Sequence, residues 1–328
     1  MKVDIPMDII ETTRKVFSEP NFTKNLSEHG QIVNVYFSPF DWSQDLLLIG
    51  FEKKILLSHL EISNDNIDVT FLTEFMHPCR CTTLSFSPVA SITTIPNQIL
   101  FCTGGNDFKL RIYSSDLLDN NTCKVLHGHT SYINDSMFDS ENSYLASTSD
   151  DNTVKVWSVE DFKLKLTFHL TSPGINVSWH RMTFVSYLSL KKIGIIRFYN
   201  VETETPILSL DYGKQLSSCH WAPSDRDLVA SLQLGELLIW EIPKPCLPLH
   251  SSILFPENGG NLKFSPQGEL VAAVNSLDSS LKIVHVKTQA VKLTATVTLP
   301  TNVCWHYRYP IVCIGDDTKL CFWKVSGK

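Results

Sequence analysis

The sequence predicts an all-β fold: a β-propeller of seven four-stranded blades, its last blade closed by an N-terminal strand. Three observations carry that expectation. An aromatic residue preceded by a turn aspartate recurs along the 328-residue chain. A short alternating strand ending in Phe or Trp stands upstream of each recurrence. Between these elements there is almost no helical periodicity.

The recurring anchor is clearest in "LASTSDDNTVKVWSV" (145–159) and "IVCIGDDTKLCFWKV" (311–325), where Asp151 and Asp317 each stand six residues before Trp157 and Trp323. "LFCTGGNDFKLRIYSSD" repeats the spacing with Asp107 and Tyr113. Weaker copies carry Tyr199, Trp240 and Val284 in the aromatic slot, and an earlier one, "LLLIGFEKKILLSHL", carries Ser58. From Tyr113 onward the anchors step by 44, 42, 41, 44 and 39 residues. The longer step from Ser58 to Tyr113 contains the turn-rich insertion "SPVASITTIPNQ".

The upstream strands read "NVYFSPF", "TLSFSPV", "NDSMFDS", "NVSWHRM", "SCHWAPS", "LKFSPQG" and "NVCWHYR". Each alternates in the strand manner and most run into a turn. A repeat of about 40–45 residues with a Gly-His start and a Trp end resembles the blade of a WD-repeat propeller. One such sheet cannot bury both faces alone, whereas blades packed radially can, so residues 21–328 read as one domain. Only "KVSGK" follows Trp323, which leaves the last blade without an outer strand. A segment near Phe22–Leu26 is expected to supply it and remove the open edge. Residues 1–20 then form an N-terminal extension, helical or disordered.

Composition narrows the function. With 28 basic against 34 acidic residues, the net charge is −6, and no basic field for nucleic acid is present. Lys191-Lys192 with Arg197 is too sparse to neutralise many phosphates. No run of about 18 apolar residues predicts a membrane span, and the N-terminus lacks the long apolar stretch of a signal peptide. Nine scattered cysteines, an odd number without a Cys-x-x-Cys pair, read as reduced thiols, most of them in apolar runs.

The stretch "HGHTSYINDSMFDSENSYLASTSDDNTVKVWS" (127–158) holds the residue types of a hydrolase. The same aspartate-to-aromatic spacing recurs in blades lacking the serine or the histidine, so it belongs to the scaffold. Resemblance to WD repeats makes His129 a bridge from Asp151 to a serine of the second strand, Ser147 or Ser149, which receives the Trp157 indole N–H. In such a network each buried donor meets an acceptor. His127-x-His129 near Cys123 lacks a further ligand at metal spacing. Trp179-His180, His220-Trp221 and Trp305-His306 read as core tryptophans with a histidine at the strand end. Gly104-Gly105 and Gly259-Gly260 are turn glycines, and neither begins a phosphate-binding loop. No catalytic residue, metal site, cofactor or small-molecule substrate is expected. Two long loops are candidate partner contacts: 114–123, and 240–260 with Leu247, Leu249, Ile253, Leu254 and Phe255.

Beyond the fold, "KLRIYSSDLLDNNTCKVLHGHTSYINDSMFD", "LTSPGINVSWH", "IIRFYNVETETPILSL" and "VCWHYRYPIVCIGDDTKLCFW" resemble the 37-kilodalton WD-repeat nucleoporins of the Y-shaped outer ring of the nuclear pore. The resemblance runs from about residue 30 to the C-terminus, while residues 1–20 and 258–279 depart from it. It implies a non-enzymatic scaffold at the nuclear envelope that docks on the large, 160-kilodalton propeller-and-solenoid nucleoporin of the Y complex. It also implies roles in pore assembly and in protein and mRNA transport, and in animals a mitotic presence at kinetochores. The competing readings are a WD adaptor such as a ubiquitin-ligase substrate receptor, a hydrolase in the central funnel, and a lipid-binding propeller. The last needs a paired basic pocket that the sequence does not show.

Overall fold

The computed structural model describes residues 17–325 apart from 64–65, 119, 181–184 and 191–193, with residues 185–190 described by backbone alone. Most of the N-terminal extension, residues 1–16, and the pair Lys191-Lys192 therefore lie outside the described residues.

The described strands form seven four-stranded antiparallel sheets. Sheet 1 contains β2 (Asn34–Phe37), β3 (Leu46–Gly50), β4 (Lys54–Ile62) and β5 (Ile67–Met76). Sheet 2 contains β6 (Cys81–Phe86), β7 (Ile99–Gly105), β8 (Leu110–Ser115) and β9 (Thr122–Leu126). Sheet 3 contains β10 (Ile133–Phe138), β11 (Tyr144–Ser149), β12 (Thr153–Ser158) and β13 (Leu164–His169). Sheet 4 contains β14 (Gly174–Trp179), β15 (Val185–Leu190), β16 (Ile195–Asn200) and β17 (Thr205–Asp211). Sheet 5 contains β18 (Leu216–Trp221), β19 (Leu228–Gln233), β20 (Glu236–Glu241) and β21 (His250–Ile253). Sheet 6 contains β22 (Asn261–Phe264), β23 (Leu270–Asn275), β24 (Ser280–His285) and β25 (Val291–Thr296). Sheet 7 contains β26 (Pro300–Trp305), β27 (Ile311–Asp316), β28 (Lys319–Lys324) and, at its outer edge, β1 (Phe22–Asn25).

The first strands of successive sheets are neighbours, and β26 returns to β2, so the sheets form a β-propeller. The expected closing segment is β1, which pairs with β28 from Phe22↔Phe322 to Asn25↔Lys319. The N-terminal chain is fastened further by the Trp323 indole N–H donating to the Ser18 carbonyl at 3.2 Å. The seam thereby gains a strand instead of an open edge.

The core lies between sheets. Each of seven buried apolar clusters draws from two neighbouring sheets, as where Leu26, Val35 and Leu56 meet Phe322 and Leu320 across the seam. Middle strands face a neighbour on both sides, which is why "LLLIG" and "LVAAVN" are apolar almost throughout and fully buried. Removing that area from water, at about 25 cal/mol per Å², is the main force holding one blade to the next. The anchor slots Ser58, Tyr113, Trp157, Tyr199, Trp240, Val284 and Trp323 all fall on third strands and are all buried.

Connections between first and second, and third and fourth, strands lie on what we call the lower face. Those between second and third strands, and from one sheet to the next, lie on the upper face.

Candidate functional site

The stretch with hydrolase-like composition forms an interlocked buried network in sheet 3. Gly128-His129 enters from the connection before β10, Ser147 faces inward from β11, Asp151 occupies the turn to β12, and Trp157 faces back from β12. His129 Nδ1 stands 2.8 Å from Asp151 Oδ2 and its Nε2 stands 2.8 Å from Ser147 Oγ. The ionised carboxylate only accepts, so Nδ1–H donates to Asp151 and Nε2 accepts the Ser147 proton. The Ser147 oxygen in turn accepts the Trp157 indole N–H at 2.9 Å.

Asp151 also accepts the Thr153 hydroxyl at 2.6 Å and the Thr153 and Thr130 backbone N–H groups at 2.9 and 3.0 Å. Burial opposes its ionisation, but His129 and these donors hold its carboxyl well below the usual carboxylate range. Ser147 is completely buried, and its hydrogen bonds face the imidazole and the indole rather than an open cleft.

Ser149 stands apart from this chain. It shares a face of β11 with Ser147 but lies one pleat nearer the turn, beyond the imidazole's reach. Its hydroxyl donates to the Ser131 carbonyl at 3.2 Å and accepts the Asp151 N–H at 3.1 Å. Period two assigned its face correctly and could not assign its depth.

The loop 240–260 also needs correction. It is interrupted by β21, and its five apolar residues do not make one patch. Leu254 and Phe255 are buried between sheets 5 and 6 with Leu237, Leu262 and Val271. Their backbone N–H groups both donate to the Gly235 carbonyl, which turns the two side chains inward. Leu247 and Leu249 are exposed on the lower face, and Ile253 is exposed at the upper end of β21. In the loop 114–123, Leu118 is exposed while Leu117 packs against the core between sheets 1 and 2.

The tryptophan–histidine pairs end the first strands of three sheets at the lower mouth of the channel. Trp179 donates its indole N–H to the Met137 carbonyl (2.9 Å) and Trp305 to the Lys263 carbonyl (3.0 Å), each stitching its sheet to the preceding one. Trp221 donates to the Arg226 carbonyl of its own sheet at 2.7 Å. His306 Nδ1 accepts the Arg308 and Tyr309 N–H groups, so Nε2 carries the proton and donates to Asp45 of sheet 1 at 3.0 Å. A cavity of about 700 Å³ at this mouth is lined by Met137, Trp179, His180, His220 and Trp221. Its Ser224 hydroxyl donates to the Gln267 carbonyl, and His220 Nδ1 accepts the Phe264 N–H.

Sequence reasoning missed the asparagine of the repeated "NV". Asn302 brackets Val35 of the next sheet, donating to its carbonyl at 2.8 Å and accepting its N–H at 3.0 Å. Asn34 donates to the Thr82 carbonyl (3.0 Å), and Asn176 donates to Asp135 and accepts the Cys219 N–H. Asp135 accepts the Val177 N–H. These side chains tie first strand to first strand around the channel. The signal was visible in "NVYF", "NVSW" and "NVCW", each opening on the same residue.

Most thiols are buried hydrophobes. Burial pushes Cys81 up to about 12 and Cys321 up to about 11, which suppresses nucleophilic thiolate at neutral pH. Among the described residues no group of three or more His, Cys, Asp or Glu side chains is arranged to hold a metal ion.

The comparisons with known proteins agree with this geometry. The model of the WD domain, G-beta repeat, matches residues 120–158, which enclose the His129 network. Human nucleoporin Nup37 is 31% identical over 302 residues, spanning 88% of this chain and 92% of that protein. This chain belongs to the Nup37 family. Mouse Nup37 is 30% identical over the same shares of both chains, and Nup37 of Drosophila melanogaster is 29% identical over 296 residues. The Nup37 relationship thus covers nearly the whole ring of sheets, well beyond the one repeat that the WD model matches.

Proposed function

We propose that this chain is a non-catalytic scaffold subunit of the outer ring of the nuclear pore, built as a single seven-bladed propeller domain from about residue 21 onward. The observation that carries the reading is the match to Nup37 along nearly the full length of both chains. The geometry supports it. His129, Ser147, Asp151 and Trp157 spend their hydrogen-bonding capacity on one another, so they act as a clamp between the upper turns and the sheet. A hydrolase needs an exposed nucleophile beside an oxyanion hole, and Ser147 is sealed from solvent.

In this reading the propeller docks on a large helical-solenoid nucleoporin, and its place at the nuclear envelope supports pore assembly and the transport of protein and mRNA. With a net charge of −6, direct nucleic-acid binding is no part of the proposal.

The test is a tagged pull-down from detergent-solubilised nuclear envelopes, read by quantitative mass spectrometry. Near-stoichiometric recovery of outer-ring nucleoporins, led by the large solenoid member, is the expected result. Recovery of cullin-type ligase components without nucleoporins would replace this reading with that of a WD adaptor.

A further inference from the structure

The upper face of sheets 5 to 7 carries four exposed aliphatic side chains on successive connections. Leu234 is 46% exposed in the turn β19–β20, Ile253 81% at the end of β21, Leu277 69% in the turn β23–β24, and Leu299 53% before β26. Hydrogen bonds make these connections one continuous arc. Gly235, next to Leu234, accepts the Leu254 and Phe255 N–H groups through its carbonyl. Asn275 donates to the Glu257 and Gly259 carbonyls, drawing that connection against the Leu277 turn. The Val297 N–H donates to Ser279, the Asp317 N–H donates to Leu299, and Asp316 accepts the Thr298 and Leu299 N–H groups.

Leu234 is the informative member. With φ of 49° it is left-handed, beside Gly235 at 76°, in a two-residue turn whose favoured first residue is asparagine or aspartate. Leu117 and Phe162 are also left-handed (62° and 55°), but both pack against buried clusters. Leu234 bears the same strain with nearly half of its surface in water, and among the described residues it packs against none of the buried apolar clusters.

We propose that this arc docks an amphipathic helix of a protein partner whose apolar stripe is flanked by lysine or arginine. A helix suits the arc because its backbone carbonyls at Gly235, Ser279 and Leu299 are already engaged. The turns that carry Leu234, Leu277 and Leu299 thus leave few backbone acceptors for a partner, which favours one whose backbone is satisfied internally. The flanking charge follows from Glu257 and Asp317, both exposed on the arc. Of the nearby cations, Lys214 at one end is held by Glu236, Lys282 in the middle donates to the Leu254 carbonyl and lies over the Phe255 ring, and Lys319 stands at the other end. Such framing sets orientation and encounter rate more than affinity. The proposal draws on the scaffold reading only in taking the partner to be a protein.

The test uses the full chain with a photo-crosslinking phenylalanine analogue at position 277, expressed in cells and followed by sequencing of the crosslinked peptide. A helix-forming peptide with apolar residues at i, i+3, i+4 and i+7 and basic flanks is expected. No adduct, an adduct only to a second copy of this chain, or an acidic or extended peptide would overturn the proposal. If the helix comes from a protein outside the nuclear pore, the arc stands and the nucleoporin reading fails. If outer-ring nucleoporins are recovered undiminished by the variant L234N/L277N/L299N, the reading stands and the arc fails. The expected result is at least a ten-fold loss of recovery with a melting temperature no lower than wild type, because asparagine suits the turn at 234. Charge reversal with E257K and D317K should weaken recovery in the same direction.

Discussion

Sheets 2 and 3 stand side by side with the same framework and solve the same corner differently. In sheet 3 a histidine links turn to sheet through Asp151, Ser147 and Trp157. In sheet 2 the corresponding turn aspartate is Asp107, the second-strand residue is Thr103 and the anchor is Tyr113, but Cys79 occupies the histidine's corner. The Cys79 thiol donates to Asp107 Oδ1 at 3.3 Å, and Arg111 takes over the carboxylate with hydrogen bonds of 2.9 and 2.6 Å. That guanidinium holds the Asp107 carboxyl well below its usual range, against the effect of burial. Tyr113 turns away from Thr103, donating its hydroxyl proton to the Met76 carbonyl and accepting from His77. Thus sheets 2 and 3 share the aspartate and the third-strand ring at this corner and differ in the group that bridges to the carboxylate. The motif is a solution to a buried carboxylate, and the scaffold accepts more than one.

The largest expected effect breaks this comparison most directly. Replacing His129 with alanine strands Asp151, whose side chain is only 6% exposed, and should cost about 2–4 kcal/mol in a denaturant titration. Cys79→Ala should cost under about 1 kcal/mol, because Arg111 still holds Asp107. Equal losses for the two would show that the corners are not built differently.

Next in size is a pH effect. Burial, helped by Arg111, lowers His77 to about 4, and burial likewise lowers His306 despite Asp45. A folded value below the unfolded one, near 6.5, means that the neutral ring is favoured in the fold. This stability is therefore fully present above about pH 6.5 and is lost as pH falls towards 4. Between pH 7 and pH 5, unfolding should become easier by about 1–2 kcal/mol for His77 alone, and His77→Asn should flatten the profile. Asp151 and Asp107 have the opposite reference. Their contribution is complete above about pH 4 and fades only below it, so a loss confined to pH below 4 would assign the effect to these carboxylates instead of His77.

A smaller effect sharpens the role of the guanidinium. Arg111→Met keeps the packing stem but frees Asp107, which is 31% exposed and can turn to water. A loss of about 1–2 kcal/mol in the same titration is expected, below that of His129→Ala. Tyr113→Phe, which removes only the hydroxyl shared with Met76 and His77, should cost about 1 kcal/mol.

Much of this architecture was legible because it is periodic. A residue that must fill the same slot between every pair of sheets leaves a mark at each repeat, and Trp157, Trp240 and Trp323 were found that way. The closing strand was legible because the last repeat shows three strands where the others show four, and a strand-like segment precedes the first repeat. Leu254 and Phe255 were misplaced because an apolar residue in a proline-rich loop reads as exposed. Whether such a residue turns inward depends on which carbonyl captures its backbone, and here Gly235 does. Ser149 was drawn into the network because alternation names a face and is silent on distance along it. Of the arc on sheets 5 to 7 only Ile253 was legible in the sequence, because the members lie on connections far apart in the chain.

By itself the sequence determined the repeat, the identity of the slot residues and the need for an N-terminal partner strand, because each follows from local spacing and strand alternation. Only the tertiary structure decided which apolar side chains remain in water and how the asparagines join strand to strand around the channel. It also decided that Asp107 leans on arginine where Asp151 leans on histidine. Those outcomes depend on contacts between neighbouring sheets, where the nearest group in space is often some forty residues away in the chain, and no local pattern records that neighbour.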